Sequence, residues 1–282
     1  MQENEKQTPL NSTVGEPLTE SEQTVNLIDG KEQEAVENTQ NPFIRAEENE
    51  EYKKMEREFK EYRTRKVLSK IDGLDVGNPT ASEIKEEFRK TASTKAKSVV
   101  LPYLVKTAKR ELPEHVKIET LINFPYAGGN RKAVMTEIKQ AVREKARVGV
   151  GINLASFASG NRKILDRELK SLKKFSKKTA VSPIFAPIKL RGDQLSRLAT
   201  TIKSYKFENV KFVGDGGDCE IKKLADAVKI FYDILGEQCT VDVIGKISTA
   251  EDAETLFSAG ADRIITTDYA TLSRQRLDNI TF

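Results

Sequence analysis

The sequence predicts an α/β fold, a (β/α)8 TIM barrel, behind a disordered acidic tail and a charged helix. Three observations lead there. The stretch Val241 to Thr267, VDVIGKISTAEDAETLFSAGADRIITT, reads strand, loop, helix, strand, and so short a return suits parallel strands. The same alternation runs through the preceding sequence and yields eight strands over about 210 residues, a size usual for this barrel. No G-x-G-x-x-G stands between a strand and a helix, and GDGGD (214–218) is only glycine-rich. The alternative, an open doubly wound sheet, therefore lacks its dinucleotide signature.

Residues 1–45 contain many Glu, Gln, Asn and Thr and few large apolar side chains. Such a segment cannot bury enough surface to offset the entropy of ordering, so it reads as a disordered tail. Leu27–Ile28 and Pro42–Phe43–Ile44 are its only short apolar clusters. Residues 46–69 read as a helix, with opposite charges three or four apart. Tyr52, Met55, Phe59 and Tyr62 form one apolar stripe on it, expected to pack on the chain's own domain, with a partner as the alternative.

Residues 70–282 hold the barrel. Lys70 to Val76 is the first strand, and Thr80 or Ser82 caps a helix carrying Ile84 and Phe88. Ser98 to Leu101 is a strand closed by Pro102, with Tyr103 to Leu112 helical after it. Ile118 to Asn123 and Val148 to Leu154 are strands around a helix from Lys132 to Ala146. Arg162 to Phe175 is a helix with Ile164, Leu165, Leu169 and Leu172 on one face. Val181 to Leu190 is a strand interrupted by Pro183 and Pro187, and Leu195 to Tyr205 is helical. Val210 to Val213 is a strand, Ile221 to Leu235 a helix. In the opening unit Ser248 or Thr249 caps the helix, Glu251 and Asp252 complement its dipole, and Gly260 stops it. Tyr269 to Leu277 closes the series.

Charge divides the chain. Residues 1–50 hold 12 Asp/Glu against 3 Lys/Arg, a net of −9, so the rest carries +13 of the overall +4. A basic body can attract nucleic acid or phosphorylated ligands. No nucleic-acid motif accompanies the excess, which reads better as a solvated lysine-rich surface. A single histidine, His115, argues against His-based triads and His-rich metal sites. Two cysteines, Cys219 and Cys239, build no disulfide framework and point to a reducing, cytoplasmic setting. No run of about 18 apolar residues suggests a membrane span.

The stretches KIDGLDVGNPTASEIKEEF, VVLPYLV, INFPYAGG, VGINLASFASGN, IGKISTAEDA and GADRIITT, taken in order, resemble the deoxyribose-phosphate aldolase family. KIDGLDVGNPTASEIKEEF looks like that family's first strand and helix, VVLPYLV like its second strand end, and INFPYAGG like the Gly-Phe-Pro loop after the third. VGINLASFASGN resembles the fourth strand and its Ser-Gly turn; IGKISTAEDA and GADRIITT resemble the seventh and eighth strand ends. The resemblance spans about Lys70 to Thr267. It implies a (β/α)8 barrel with a phosphate site at the C-terminal ends of the last strands, no cofactor, and a Schiff-base lysine helped by a second lysine and an aspartate. A neighbouring cation disfavours the ammonium form and so frees the amine for attack.

This chain departs at those positions. Anchored by STAEDA, the second lysine falls on Asp242, and a carboxylate there would hold a nearby amine protonated. Counting back from Ile152–Asn153, the aspartate falls on Gly149, which has no side chain to move a proton. The Schiff-base position lies in NVKFVGDGG and falls on Lys211 in one register or Phe212 in the other, two residues that face opposite sides of a strand. At the implied phosphate site Gly245 is kept, Lys246 replaces a second glycine, and Thr266 and Thr267 replace a Thr-Ser pair. Asp268, Asp215 and Asp218 would repel an anion there. Asp215, Asp218 and Asp242 suit a hard cation, but their spacing does not call for a metal.

The expectation is therefore an aldolase-like barrel that has lost its chemistry. It would act as a binding or structural protein, with a small phosphorylated ligand and a protein partner reached through residues 1–69. The alternative is a Schiff-base lyase acting on a small phosphorylated aldehyde or sugar, with Lys211 or Lys246 as the amine. A nucleic-acid-binding surface is a third reading.

Overall fold

The computed structural model describes residues 50–74, 80–94, 97–214 and 221–281. It divides into two units, Met1–Lys54 and Met55–Phe282. The second unit carries eight parallel strands: β1 (Ile71–Gly73), β2 (Lys97–Val100), β3 (Lys117–Ile122), β4 (Arg147–Gly151), β5 (Val181–Phe185), β6 (Asn209–Val213), β7 (Thr240–Gly245) and β8 (Arg263–Thr266). Their order is β1-β8-β7-β6-β5-β4-β3-β2, the sequence-neighbour order of a (β/α)8 barrel. Among the described residues β1 and β2 share no ladder hydrogen bonds, so the barrel is nearly closed and its seam lies there. The open-sheet alternative is set aside.

The helices among the described residues are α1 (Glu50–Leu68), α2 (Ala81–Thr94), α3 (Val105–Glu111), α4 (Arg131–Arg143), α5 (Ala155–Ala158), α6 (Arg162–Phe175), α7 (Gly192–Tyr205), α8 (Ile221–Leu235), α9 (Ala250–Ser258) and α10 (Tyr269–Leu272), and all but α5 fall where the sequence reading put a helix or the closing segment. Their starts follow local chemistry. Thr80 caps α2, its hydroxyl accepting from the Glu83 N–H while Glu83 accepts from the Thr80 N–H. Thr249, rather than Ser248, caps α9 by accepting from the Asp252 N–H at 3.1 Å. Gly260 stops α9 at φ +103°, and a Cβ there would lie 2.6 Å from the Tyr232 ring. Both facts require glycine.

Among the boundaries that differ from the sequence reading, two have a clear local cause. The strand expected to run to Leu190 ends at Phe185, because Ala186 precedes Pro187 and Pro187 opens a short 3-10 turn. The strand expected to run to Leu154 ends at Gly151; the Asn153 side chain accepts from the Ala155 N–H at 2.8 Å and starts α5.

The apolar stripe of α1 is the larger difference. Expected on the barrel, it stands in solvent: Met55, Phe59 and Tyr62 are 62%, 59% and 58% exposed. Val67 sets the rotation, being buried in the core at the helix end. Arg63 and Thr64, half-buried, fall on the same side as Val67, and the Arg63 Nη2 donates to the Ile280 carbonyl at 3.1 Å. That anchored side lies roughly 120° around the helix from the stripe.

Most of the core lies between strands and helices. Inside the barrel a smaller cluster of Leu74, Val99, Leu121, Ile184, Val213, Ile244 and Ile265 forms an apolar layer. Each member follows, by two residues, an inward-facing position nearer the N-terminal end of its strand: Asp72, Lys97, Glu119, Ser182, Lys211, Asp242 and Arg263. Period-two alternation thus stacks the interior as a polar floor under an apolar layer, roughly 7 Å apart along each strand. No described helix is long and apolar enough to cross a membrane.

Candidate active site

Lys211 faces into the barrel and Phe212 faces out. The Phe212 ring meets Phe231 of α8 edge-on, with centroids 4.6 Å apart, so the outer core takes the aromatic and the interior takes the amine. Lys211 is 1% exposed. Its Nζ donates to Asp242 Oδ2 and lies 3.0 Å from Glu119 Oε1. Asp242 stands beside it in register on β7. Burial alone would push the Lys211 ammonium down, but Asp242 and Glu119 together push it above its ordinary value. The amine therefore stays charged.

The pair belongs to a longer chain of charges. Glu119 also accepts from Lys97 Nζ at 2.9 Å, and Lys97 lies 3.3 Å from Asp72. Asp72 is held by Arg263 through Nε at 3.1 Å and Nη2 at 3.2 Å. Arg263 is in turn the register neighbour of Asp242. The run Arg263–Asp72–Lys97–Glu119–Lys211–Asp242 alternates in sign and sums to zero. Burial disfavours the Glu119 charge, yet Lys211 and Lys97 hold its carboxyl well below the usual carboxylate range. Asp242 Oδ1 is buried and has no hydrogen-bond partner among the described residues.

Gly149 also faces inward, at the level of the apolar layer. A Cβ there would lie 2.9 Å from Leu121 Cδ2 and 3.0 Å from Ile184 Cδ1. Those two side chains fill the space that an aspartate would need.

The C-terminal face is built separately. Asn123, at φ +57°, ties the loop after β3 to β4: its Nδ2 donates to the Gly151 carbonyl at 2.8 Å and its Oδ1 accepts from the Gly129 N–H at 2.7 Å. A Cβ on Gly151 would stand 2.2 Å from the Asn123 carbonyl, so that approach depends on glycine. Above β3 to β6 lies a cleft of about 320 Å³, lined by Tyr126, Asn153, Leu154, Ile184 and Lys189 among others. Its base includes Ile184 of the apolar layer, and Lys211 does not line it.

At the ends of β7 and β8 the expected phosphate residues divide. Lys246 and Thr267 are exposed and Gly245 is half-buried. Thr266 is fully buried, and its hydroxyl donates to the Ile247 carbonyl at 2.8 Å while accepting from the Ile247 and Asp268 N–H groups at 3.1 and 3.0 Å. Its one proton is committed to closing the β7–α9 loop. Asp215 and Asp218 lie outside the described residues.

Sequence reasoning singled out Lys211, with Phe212 as its alternative, together with Asp242 and Gly149, but missed Glu119, Lys97, Asp72 and Arg263. A signal existed. Each is a charged residue two positions before an apolar one inside a strand, which is conspicuous once the inward parity is known.

No protein-family model matches the chain. It is 26% identical over 202 residues to deoxyribose-phosphate aldolase of Caldicellulosiruptor saccharolyticus, covering 66% of this chain and 87% of that one. To the deoxyribose-phosphate aldolase of Clostridium botulinum it is 27% identical over 167 residues, 58% and 78% of the two chains. Among solved structures, the aldolase QR15 superposes with a TM-score of 0.63 at 22% identity, over 73% of this chain and 94% of that one. Deoxyribose phosphate aldolase from Aeropyrum pernix gives 0.62 at 19% identity, over 77% and 94%. The structural likenesses carry the fold; the sequence relatives, with the ordered loops, carry the kinship. The chain is thus similar in sequence to deoxyribose-phosphate aldolases and shares the (β/α)8 barrel fold with them.

Proposed function

We propose that this barrel has lost Schiff-base chemistry and acts as a binding or structural protein. One observation carries the reading: Lys211, the one amine facing the interior from β6, is clamped between Asp242 and Glu119 beneath an apolar layer. A nucleophilic amine must be neutral, reachable and near a proton carrier. Lys211 is charged, 1% exposed, and has Gly149 where the carrier would stand.

Lys246 and Thr267, with Gly245, remain the candidates for holding a small phosphorylated ligand at the ends of β7 and β8, while Thr266 serves the loop. Lys246 would act there as a point charge. The protein partner is reached through the N-terminal residues 1–69. Two cysteines without a disulfide framework suit a reducing, cytoplasmic setting, and the solvated lysine-rich surface needs no nucleic acid.

The alternative, a lyase acting on deoxyribose 5-phosphate or a similar aldehyde, draws on the relatives' activity and on the inward direction of Lys211. Borohydride reduction in the presence of deoxyribose 5-phosphate or acetaldehyde, followed by intact-mass measurement, separates the two. The expected result is no adduct and no turnover. An adduct mapped to Lys211 and lost in Lys211→Ala establishes the lyase.

A further inference from the structure

The helix α1 presents a surface that the barrel does not use. Met55, Phe59 and Tyr62 stand three and four residues apart and are 58–62% exposed. That spacing is the a/d seam of a left-handed helix pair, with Phe59 at a and Met55 and Tyr62 at d. The charges beside the seam are ordered. Glu56 and Glu58 flank its start, and Arg63 and Arg65 flank its end. The side of the helix that carries Val67 is already held by the core and by the Ile280 carbonyl, so the seam cannot turn inward without breaking both contacts.

We propose that α1 is a self-association helix, pairing antiparallel with α1 of a second copy of this chain. The arrangement of charges selects that occupant. Place a two-fold axis between Phe59 and Tyr62, so that each Phe59 meets the other copy's Tyr62. Glu58 then faces Arg65 and Glu56 faces Arg63, each twice, with no like charges opposed along the flanks. A parallel pair would instead set Glu58 against Arg63 alone and leave Arg65 with no acidic partner. Arg63 keeps donors to spare beside its bond to Ile280, since a guanidinium has five. Lys60 already balances Glu56 within the helix at 2.5 Å, so the Glu58–Arg65 pairs carry more of the selectivity. The seam is short. It buries on the order of 800 Å², below the roughly 1,200 Å² of lasting complexes, so the dimer is weak and concentration-dependent.

This inference specifies the partner in the preceding reading and does not depend on whether catalysis is lost. The test is sedimentation velocity of the full chain from low to high micromolar concentration. Wild type is expected to shift from monomer to dimer. Phe59→Ser with Tyr62→Ser should remain monomeric with an unchanged thermal melt, since neither side chain is buried. Glu58→Arg and Arg65→Glu should each weaken dimerisation about tenfold, and the two together should restore it. A wild type that is monomeric throughout overturns the proposal, as does a dimer indifferent to Phe59 and Tyr62. Failure of the double charge swap to restore binding overturns the antiparallel pairing. None of these outcomes bears on the borohydride result.

Discussion

Lys211 shows how one neighbour decides the chemistry of an amine. Beside a second cation it would tend to lose its proton; between Asp242 and Glu119 it keeps it. Removing it should leave two buried carboxylates without their cation. Lys211→Met is therefore expected to cost about 3–5 kcal/mol in urea unfolding at neutral pH, and adding Asp242→Asn should recover part of that. The pH dependence follows from the signs. Glu119 titrates below its ordinary 4.5 in the folded state, so its stabilisation is complete above that value and declines as the pH falls through the acid range. Lys211 titrates above 10.5, so its stabilisation is complete below that and is lost only as the pH rises further. Wild-type stability should form a plateau between these limits. In Lys211→Met that acid limb should become shallower, because Glu119 keeps only Lys97 of the two lysines that hold its carboxyl down. An unchanged acid limb in the variant would show that the three groups do not interact.

Among the elements, the loops at the C-terminal face are closed by a few committed contacts. Thr266 spends its hydroxyl on both backbone groups of Ile247, so Thr266→Val should cost about 1–3 kcal/mol by stranding them. Thr267→Val, at an exposed side chain, should cost much less, and differential scanning calorimetry of the two variants checks this contrast. Gly149→Asp tests whether the aspartate that the resemblance implies at this position can be accommodated. With Leu121 and Ile184 already in that space, the change should destabilise by about 3 kcal/mol or more through overpacking and a carboxylate set among apolar side chains. No aldol cleavage should appear in the variant. At this scale the sequence was readable. Arg162–Phe175 and Ile221–Leu235 match their observed bounds, because long 3.6-period stripes are unambiguous. The strand ends at Phe185 and Gly151 were not, because a proline two residues on and an Asn turn act locally, below the reach of periodicity.

For the whole molecule, a charge pair spans the place where the described residues show no ladder between β1 and β2. The seam between β1 and β2 is spanned by Lys97 and Asp72, 3.3 Å apart, and the same Asp72 is gripped by Arg263 of β8. Lys97→Met should loosen that seam while leaving the other strands intact. Hydrogen exchange should speed up at Ile71–Gly73 and Lys97–Val100 and stay unchanged at Val241–Ile244. Uniform acceleration across the barrel would instead mean that the ion pair supports global stability rather than the seam.

The sequence by itself determined the alternation of strands and helices and the stop at Gly260, and it narrowed two caps to Thr80 or Ser82 and to Ser248 or Thr249. These follow from local propensity, spacing and order along the chain. Only the tertiary structure decided that Lys211 rather than Phe212 faces inward, that Glu119 and Lys97 join it, and that the stripe of α1 faces solvent. Strand parity is fixed by which face buries against its neighbours, and the rotation of a helix by its best-buried residue, here Val67. Both are set by contacts between residues far apart in the chain, which no local pattern records.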